Sequence, residues 1–437
     1  MTHTVGLYCF TTDLRLHDQP ALTKAASEVD QLVCYYQWGN AWSQHARSMN
    51  AEIGSARQRF LAQSVADLSL QLNSLQQRLW LSHHNDGTTL GKLIEALGIT
   101  DVYRSVQAGW FEHQQWQELQ SKYPHIRFHN IDTRTLYDQS TLPFAIETMP
   151  GGFSGVRSKL EKNEPCTPIS TLKQLPPMPE SASQLEQWPE ISRQIPPKQS
   201  TTDSPEHNSF KGGERAGLAH LSAYLSSGAA SSYKQTRNAL DGWNHSCKFS
   251  PWLATGSLSV RKVVADLKHY EAKHGANKSS YWIYVELLWR EYFQWYAMRH
   301  GSKLYQHGGA NDTTLHYTHD SERIEQWIHG RTDYPLVNAC MTELRLTGFM
   351  SNRGRQIVAS CLVNELEQDW RFGAAYFEQM LIDYDTACNW GNWQYIAGAG
   401  PTTVQKRHFN LDKQASQFDP KQRYTQYWLE QRDAFTR

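Results

Sequence analysis

The first third of the chain alternates short apolar runs with longer stretches whose apolar positions recur every third or fourth residue. Residues 4–10 (TVGLYCF) and 31–36 (QLVCYY) predict buried strands, and LWL (79–81), DVY (101–103) and IRFH (126–129) predict three more. Helical periodicity covers residues 52–75 and 111–122, between strands. Strands alternating with helices predict a parallel, Rossmann-like α/β domain over residues 1–135. No G-x-G-x-x-G follows the first strand, so a dinucleotide held on that sheet in the usual way is not expected.

The pattern then changes twice. Eleven of the 17 prolines fall between Pro143 and Pro205, among Ser, Gln and Glu. Residues 136–209 are therefore expected to be a long connector crossing between domains. From Phe210 onward strand-like alternation is scarce, and residues 215–227, 258–274, 281–299, 335–346, 353–366 and 371–381 read as helices. The expectation is an all-α domain over 210–437.

Composition removes several function classes. Lys and Arg total 43 against 43 Asp and Glu. The two halves split at residue 200 carry 17 basic against 19 acidic residues and 26 against 24, so any nucleic-acid contact must come from a local patch. Seven cysteines without a C-x-x-C pair argue against a disulfide framework or a Cys-rich metal site and fit a reducing, cytoplasmic compartment. Neither a signal peptide nor an apolar run of membrane-spanning length is expected, so no membrane partner is. Ten of the 16 tryptophans lie from Trp243 onward, which adds base stacking and electron relay to their ordinary use in cores.

Four segments carry candidate chemistry. On a helix over 281–293, Trp282, Glu286, Trp289, Arg290 and Phe293 share one face, setting a carboxylate and a guanidinium among rings. The residues alone fit a buried ion pair that supports a core, or a pocket that stacks a planar ligand. In TGFMSNRGRQI (347–357), Ser351 or Asn352 can cap a helix that has Arg353 and Arg355 in its first turn. Arginine opposes the dipole there and calls for an anionic partner, unless the pair is simply solvated. DYDTACNWGNWQY (383–395) gathers two carboxylates, two amides, two indoles and a phenol, and also fits a loop-to-helix junction. YKQTR (233–237) and SCKFSPWLATG (246–256) place hydroxyls and amides ahead of a helix, where a phosphate or a simple cap would both fit.

Taken together the segments resemble the cryptochrome/photolyase family, and most closely its DASH branch. The resemblance rests on FTTDLRLHDQPAL (10–22), KFSPWLATGSLS (248–259), ELLWREYF (286–293), TGFMSNRGRQIVAS (347–360) and NWGNWQY (389–395), in that order over nearly the whole chain. It implies an N-terminal α/β domain joined to a helical domain that holds FAD. By that resemblance Tyr233, Arg237, Ser246, Cys247 and Ser250 contact the FAD phosphates and nearby groups, with Arg290 also on the cofactor. Arg355 and Asp383 form an ion pair beside the flavin ring, Asp385 lies at its polar edge, and Asn389 faces N5.

In repair members of the family a cyclobutane pyrimidine dimer enters the cavity, and an electron from photoexcited reduced flavin splits it. The resemblance then gives Glu286 and Asn352 hydrogen bonds to the dimer and makes Trp289 and Tyr395 the cavity walls. Tyr395 and Gln356 stand where duplex photolyases usually carry Trp and Met. A smaller wall and a more polar cavity imply single-stranded DNA as the preferred partner, with RNA and duplex DNA weaker. Arg353, Lys406 and Arg407 are candidates for a cationic DNA rim, or for ordinary surface charge. Trp393 and Trp370 match the inner positions of a flavin-reducing relay, and Tyr317 stands at the third. The resemblance leaves a 5,10-methenyltetrahydrofolate antenna open, because Gln107 occupies the position of a pterin-binding Glu. A blue-light photoreceptor is the alternative function. The absence of a long tail after Trp428 weighs against it.

Overall fold

The computed structural model describes residues 3–39, 52–82, 87–184, 210–401 and 407–435, excepting the side chains of 87–89, 183–184 and 435. Strands β1 (Val5–Phe10), β2 (Gln31–Gln37), β3 (Leu79–Ser82), β4 (Asp101–Ser105) and β5 (Arg127–Ile131) form one sheet in the order β3-β2-β1-β4-β5. All four pairings are parallel, with Val5 opposite Gln31 and Gly6 opposite Asp101. Every residue of β1, β3 and β4 is buried, as expected for a sheet covered by helices on both faces. The order reverses between β1 and β4, which opens a crevice at the carboxyl ends of these strands.

The expected connector is described over residues 136–184. It contains a helix, Phe153–Leu160, and returns over the sheet, where the Leu32 amide donates to the Pro177 carbonyl at 3.0 Å. The stretch 185–209 lies outside the described residues.

Beyond Phe210 the described chain is helical apart from one isolated bridge, Thr318 with Gln368. The long helix Lys278–His300 starts in a capping box: Asn277 accepts from the Ser279 and Ser280 amides at 2.7 and 3.1 Å, and the Ser280 hydroxyl returns a bond to Asn277 N. The helix expected over 353–366 is shorter. Regular turns run Asn352–Ser360, and Cys361–Glu365 widens into a π turn, closed by the Leu366 amide on the Cys361 carbonyl at 3.0 Å. Asn364 fixes the wider turn by donating to the carbonyls of Ser360 and Arg407 at 3.1 and 3.0 Å, competition that periodicity does not record. Helices Ser321–Ile328, Leu411–Phe418 and Arg423–Phe435 add to those expected.

The two halves are clasped by the first motif. Arg15 donates to the carbonyls of Gly256 and Thr133 at 2.9 and 2.7 Å, and Glu214 accepts from the Leu16 amide at 2.6 Å and pairs with His17 Nδ1 at 2.8 Å. Gly256 makes this approach possible. Its φ is +67°, and a Cβ there would lie 2.0 Å from the Thr12 carbonyl oxygen.

Candidate functional site

Three helix starts and the middle of a fourth helix converge on one cavity of about 320 Å³ in the helical half. Pro251 lies in the first turn of the six-residue helix Ser250–Thr255, Ser351 caps Asn352–Ser360 through the Gly354 amide at 3.1 Å, and Asp385 caps Thr386–Ala397 through the Cys388 amide at 2.9 Å. The middle of Lys278–His300 contributes Glu286 and Arg290. Of the residues singled out in the sequence, the lining includes Tyr233, Ser246, Cys247, Ser250, Glu286, Arg290, Asn352, Arg355, Gln356, Asp383, Asp385, Asn389, Trp393 and Tyr395. Residues more than 150 positions apart thus share one hollow.

Its charges come in matched sets. Arg355 Nη2 donates to both carboxylate oxygens of buried Asp383, at 3.0 and 2.8 Å, while Arg355 Nε holds the Met350 carbonyl at 2.9 Å. The anionic partner wanted by an arginine in a helix's first turn is therefore Asp383. Asp385 receives Arg134 Nη2 at 2.5 Å and Gln294 Nε2 at 2.9 Å. Burial pushes the Asp385 carboxyl up, but Arg134, Arg290 and the donated hydrogen bonds outweigh it and hold the group below its ordinary range. Glu286 accepts Arg237 Nη1 at 2.5 Å and Trp282 Nε1 at 3.0 Å, both on Oε1. Burial dominates there and raises the Glu286 carboxyl despite Arg237. Its Oε2 makes no protein hydrogen bond among the described residues.

Some residues named from the sequence stand elsewhere. Arg237 is not part of the lining; its Nη1 donates to Glu286, 49 residues away. Trp289 lies outside the lining too. Phe153 of the connector stacks on one face of its indole at 3.8 Å between centroids, and Tyr395 meets it edge-on at 6.2 Å. Arg353 rests over Phe418 at 4.6 Å and donates to Asn238 Oδ1 at 3.2 Å, while Arg407 lies over the Tyr395 ring at 4.1 Å. Lys406 lies outside the described residues. Trp370 is fully buried and donates to the His307 carbonyl at 3.1 Å; the His307 ring in turn meets Tyr317 at 5.4 Å.

A second, larger cavity of about 850 Å³ opens where the carboxyl ends of β1, β2 and β4 face the helical half. Gln107 lines it, but its amide is committed internally, donating to Thr11 Oγ1 at 2.8 Å and the Ser105 carbonyl at 3.2 Å and accepting from Thr12 Oγ1 at 3.0 Å. Among the carboxyls that line this cavity is Glu112, which sequence reasoning missed. Burial, with Glu378 nearby, lifts it to about 7 against the pull of its hydrogen bonds and Arg134. Asp385 and Tyr384 line both cavities.

The comparisons with known proteins agree with this arrangement. A family model described as the FAD binding domain of DNA photolyase matches residues 282–436, and one described as DNA photolyase matches 6–180. The chain is 46% identical to the Cryptochrome DASH of Vibrio parahaemolyticus, over 98% of this chain and 94% of the relative. It is 42% identical to that of Idiomarina loihiensis, over 98% and 93%. The chain belongs to the DASH branch of the cryptochrome/photolyase family. The cryptochrome structure from Synechocystis superposes with a TM-score of 0.90 at 35% identity, covering 98% of this chain and 90% of that one. A bacterial class III photolyase from Agrobacterium tumefaciens gives 0.84 at 25% identity, covering 98% and 87%.

Membership with an FAD-binding domain makes this a flavoprotein, and the helical cavity fits the cofactor. Gln356 Oε1 is buried there with no protein partner, and Asn389 spends its amide N–H on the Ala374 carbonyl at 2.9 Å. The hydroxyls of Ser246 and Ser250 and the Arg355 guanidinium supply donors beside the apolar faces of Leu253, Phe377 and Ile396. Among the described residues no group of His, Cys, Asp or Glu could hold a metal ion, and no helix is long and apolar enough to cross a membrane.

Proposed function

We propose that this flavoprotein repairs cyclobutane pyrimidine dimers under blue light, preferentially in single-stranded DNA. The supporting observation is that two sets of groups line one cavity. Arg355–Asp383, Asp385 and Asn389 suit the polar edge of an isoalloxazine, and Glu286, Asn352, Gln356 and Tyr395 suit a pair of pyrimidines. Bound FAD supplies one electron when excited in its reduced form and takes it back after the cyclobutane ring opens.

The chain's own residues do the rest. The Arg355–Asp383 pair orients the flavin. Glu286, raised by burial and held at Oε1 by Arg237 and Trp282, offers Oε2 to the dimer, and in its protonated form donates a hydrogen bond to the carbonyl that gains negative charge. Asn352 adds a second hydrogen bond. Arg353 and Arg407, held by ring faces rather than by carboxylates, keep donors for phosphates. Trp289 already has Phe153 on one face, so it stacks a base only on the other, and Tyr395 is a smaller wall than an indole. Such a site supplies less energy for pulling a lesion out of a duplex, which costs a few kcal/mol, and this favours single strands. Trp393 and Trp370 carry electrons to the flavin when it must be reduced. The interdomain cavity is the place for an antenna chromophore, and Glu112 rather than Gln107 is the carboxyl that meets it.

The test is repair of one defined dimer in single-stranded and fully paired oligonucleotides, each in blue light and in darkness. Light-dependent repair, faster in the single strand, is expected. Equal rates would remove the single-strand preference. Flavin photoreduction with no repair of either substrate would favour the photoreceptor reading.

A further inference from the structure

We propose that the electron relay leaves the flavin cavity by an aromatic branch from Trp370 through Trp390 to Tyr305, which ends against the cleft between the two halves of the chain. The inference rests on the flavin photochemistry proposed above.

From Trp370 onward the branch is a continuous set of packed rings. Trp393 packs its ring on Trp327 at 6.2 Å and Phe377 at 5.1 Å and is joined to Trp370 through Gly373 on the latter's helix. Trp393 forms part of the cavity wall and lies directly on Gly373, where a Cβ would come within 2.1 Å of its Cη2. Trp370 stands one turn earlier on the helix that carries Gly373. Trp370 meets Trp390 at 5.7 Å between centroids, and Trp390 meets Tyr305 at 4.9 Å. Tyr305 then meets Phe111, on the first turn of the helix Trp110–Lys122 of the α/β half, at 4.8 Å. Phenylalanine is far harder to oxidise than tyrosine, so the easily oxidised rings end at Tyr305.

Hydrogen bonding gives the branch a direction. The Trp370 indole donates to a neutral carbonyl, that of His307, whereas the Trp390 indole donates to the side chain of Glu378, at 3.2 Å. A carboxyl group on the indole N–H stabilises the positive charge left by an oxidised ring, so the vacancy runs from Trp370 toward Trp390. Tyr305 is almost fully buried, and its hydroxyl makes no side-chain hydrogen bond among the described residues, the Trp110 backbone being the hydrogen-bonding group beside it. Burial is the main reason that it holds its proton at ordinary pH, with Glu112 and Glu378 adding to it. Once oxidised, the phenol becomes a strong acid, and the same two carboxyls, which line the interdomain cavity, are the bases beside it.

The step balances as follows. Each electron that Trp393 gives to an excited flavin leaves one vacancy, which passes to Trp370, to Trp390 and to Tyr305. There the O–H bond breaks. One electron goes to Trp390 and the proton goes to the carboxylate cluster, leaving a neutral tyrosyl radical. A soluble thiolate returns one electron and becomes a thiyl radical, and the proton returns to the phenol.

The experiment illuminates flavin-loaded protein with a thiol present and reads the protein radical by electron paramagnetic resonance beside the rate of flavin photoreduction. A tyrosyl signal is expected in the unaltered chain and in Tyr317→Phe, and it disappears in Tyr305→Phe, where photoreduction slows about tenfold. Tyr305→Phe keeps the ring and removes only a hydroxyl without a side-chain hydrogen bond, so flavin content and unfolding midpoint stay unchanged. In Trp390→Phe a tryptophanyl signal replaces the tyrosyl one. A tyrosyl signal that persists in Tyr305→Phe overturns the branch while leaving the flavin reading intact. A folded chain that retains no flavin overturns both.

Discussion

The two cavities are built on opposite electrostatic plans. In the helical cavity each carboxylate has its own guanidinium: Asp383 has Arg355, Asp385 has Arg134 and Glu286 has Arg237. In the interdomain cavity half-buried Glu112 has no ion-pair partner among the described residues and accepts from the Thr386 hydroxyl at 3.3 Å. Paired charges orient a ligand by fixed dipoles. A carboxyl without a counterion, raised to about 7, instead changes state near neutrality. One cavity is thus set to position a group, and the other is set to exchange a proton.

The strongest way to break this contrast is to unpair the first cavity. Asp383→Ala leaves the Arg355 guanidinium without its carboxylate, at a cost of about 3 kcal/mol in denaturant unfolding and with most of the bound flavin lost. Retention of flavin with unchanged stability would refute the positioning role. Next in size, Glu286→Ala should lower light-driven repair by about a hundredfold while flavin content holds, as measured by single-turnover product analysis.

The third change tests the lone carboxyl. Glu112 has a folded value of about 7 against an ordinary 4.5, so between these values the folded state binds more protons than the unfolded one. Stability from this group is therefore complete below the lower value and is lost as pH rises to the upper one, at no more than about 1.4 kcal/mol per pH unit. Buried Glu291 and Glu343, both raised to about 8, act in the same direction. The measurement is therefore the difference between the native chain and Glu112→Gln, which should flatten the slope between pH 4.5 and 7. Smallest, Gln356→Met with Tyr395→Trp should move the ratio of single-strand to duplex repair toward duplex by about threefold to tenfold, an enlarged wall being worth about 1 kcal/mol per stacked base. An unchanged ratio would detach the preference from these two residues.

Local pattern carried much of this structure. The five strands and the long aromatic helix are visible in the spacing of apolar residues, and the first-turn position of Arg355 left two readings, an anionic partner or a solvated pair. Long-range choices were not visible. Asp385 takes its counterion from Arg134, 251 positions away, and nothing in either segment points to the other. The pairing of Arg237 with Glu286, 49 positions apart, was likewise not visible in either segment. Glu112 was missed because an acid in the first turn of a helix is ordinary, and only the packing of the second half over it makes its burial unusual. The π turn at Cys361–Glu365 follows from an Asn side chain bonding to a distant carbonyl, which periodicity does not encode.

The Arg134–Asp385 bond ties the end of the sheet half to the residue that caps the helix bearing Asn389, Trp393 and Tyr395. A protein cut anywhere between them and rebuilt from its second piece alone would carry an unneutralised acid at the root of that helix. The seam that the prolines suggest in the sequence is therefore no place to divide the molecule: the sheet acts as a counterion for its neighbour, and a fragment without it should neither hold its pigment nor keep its shape.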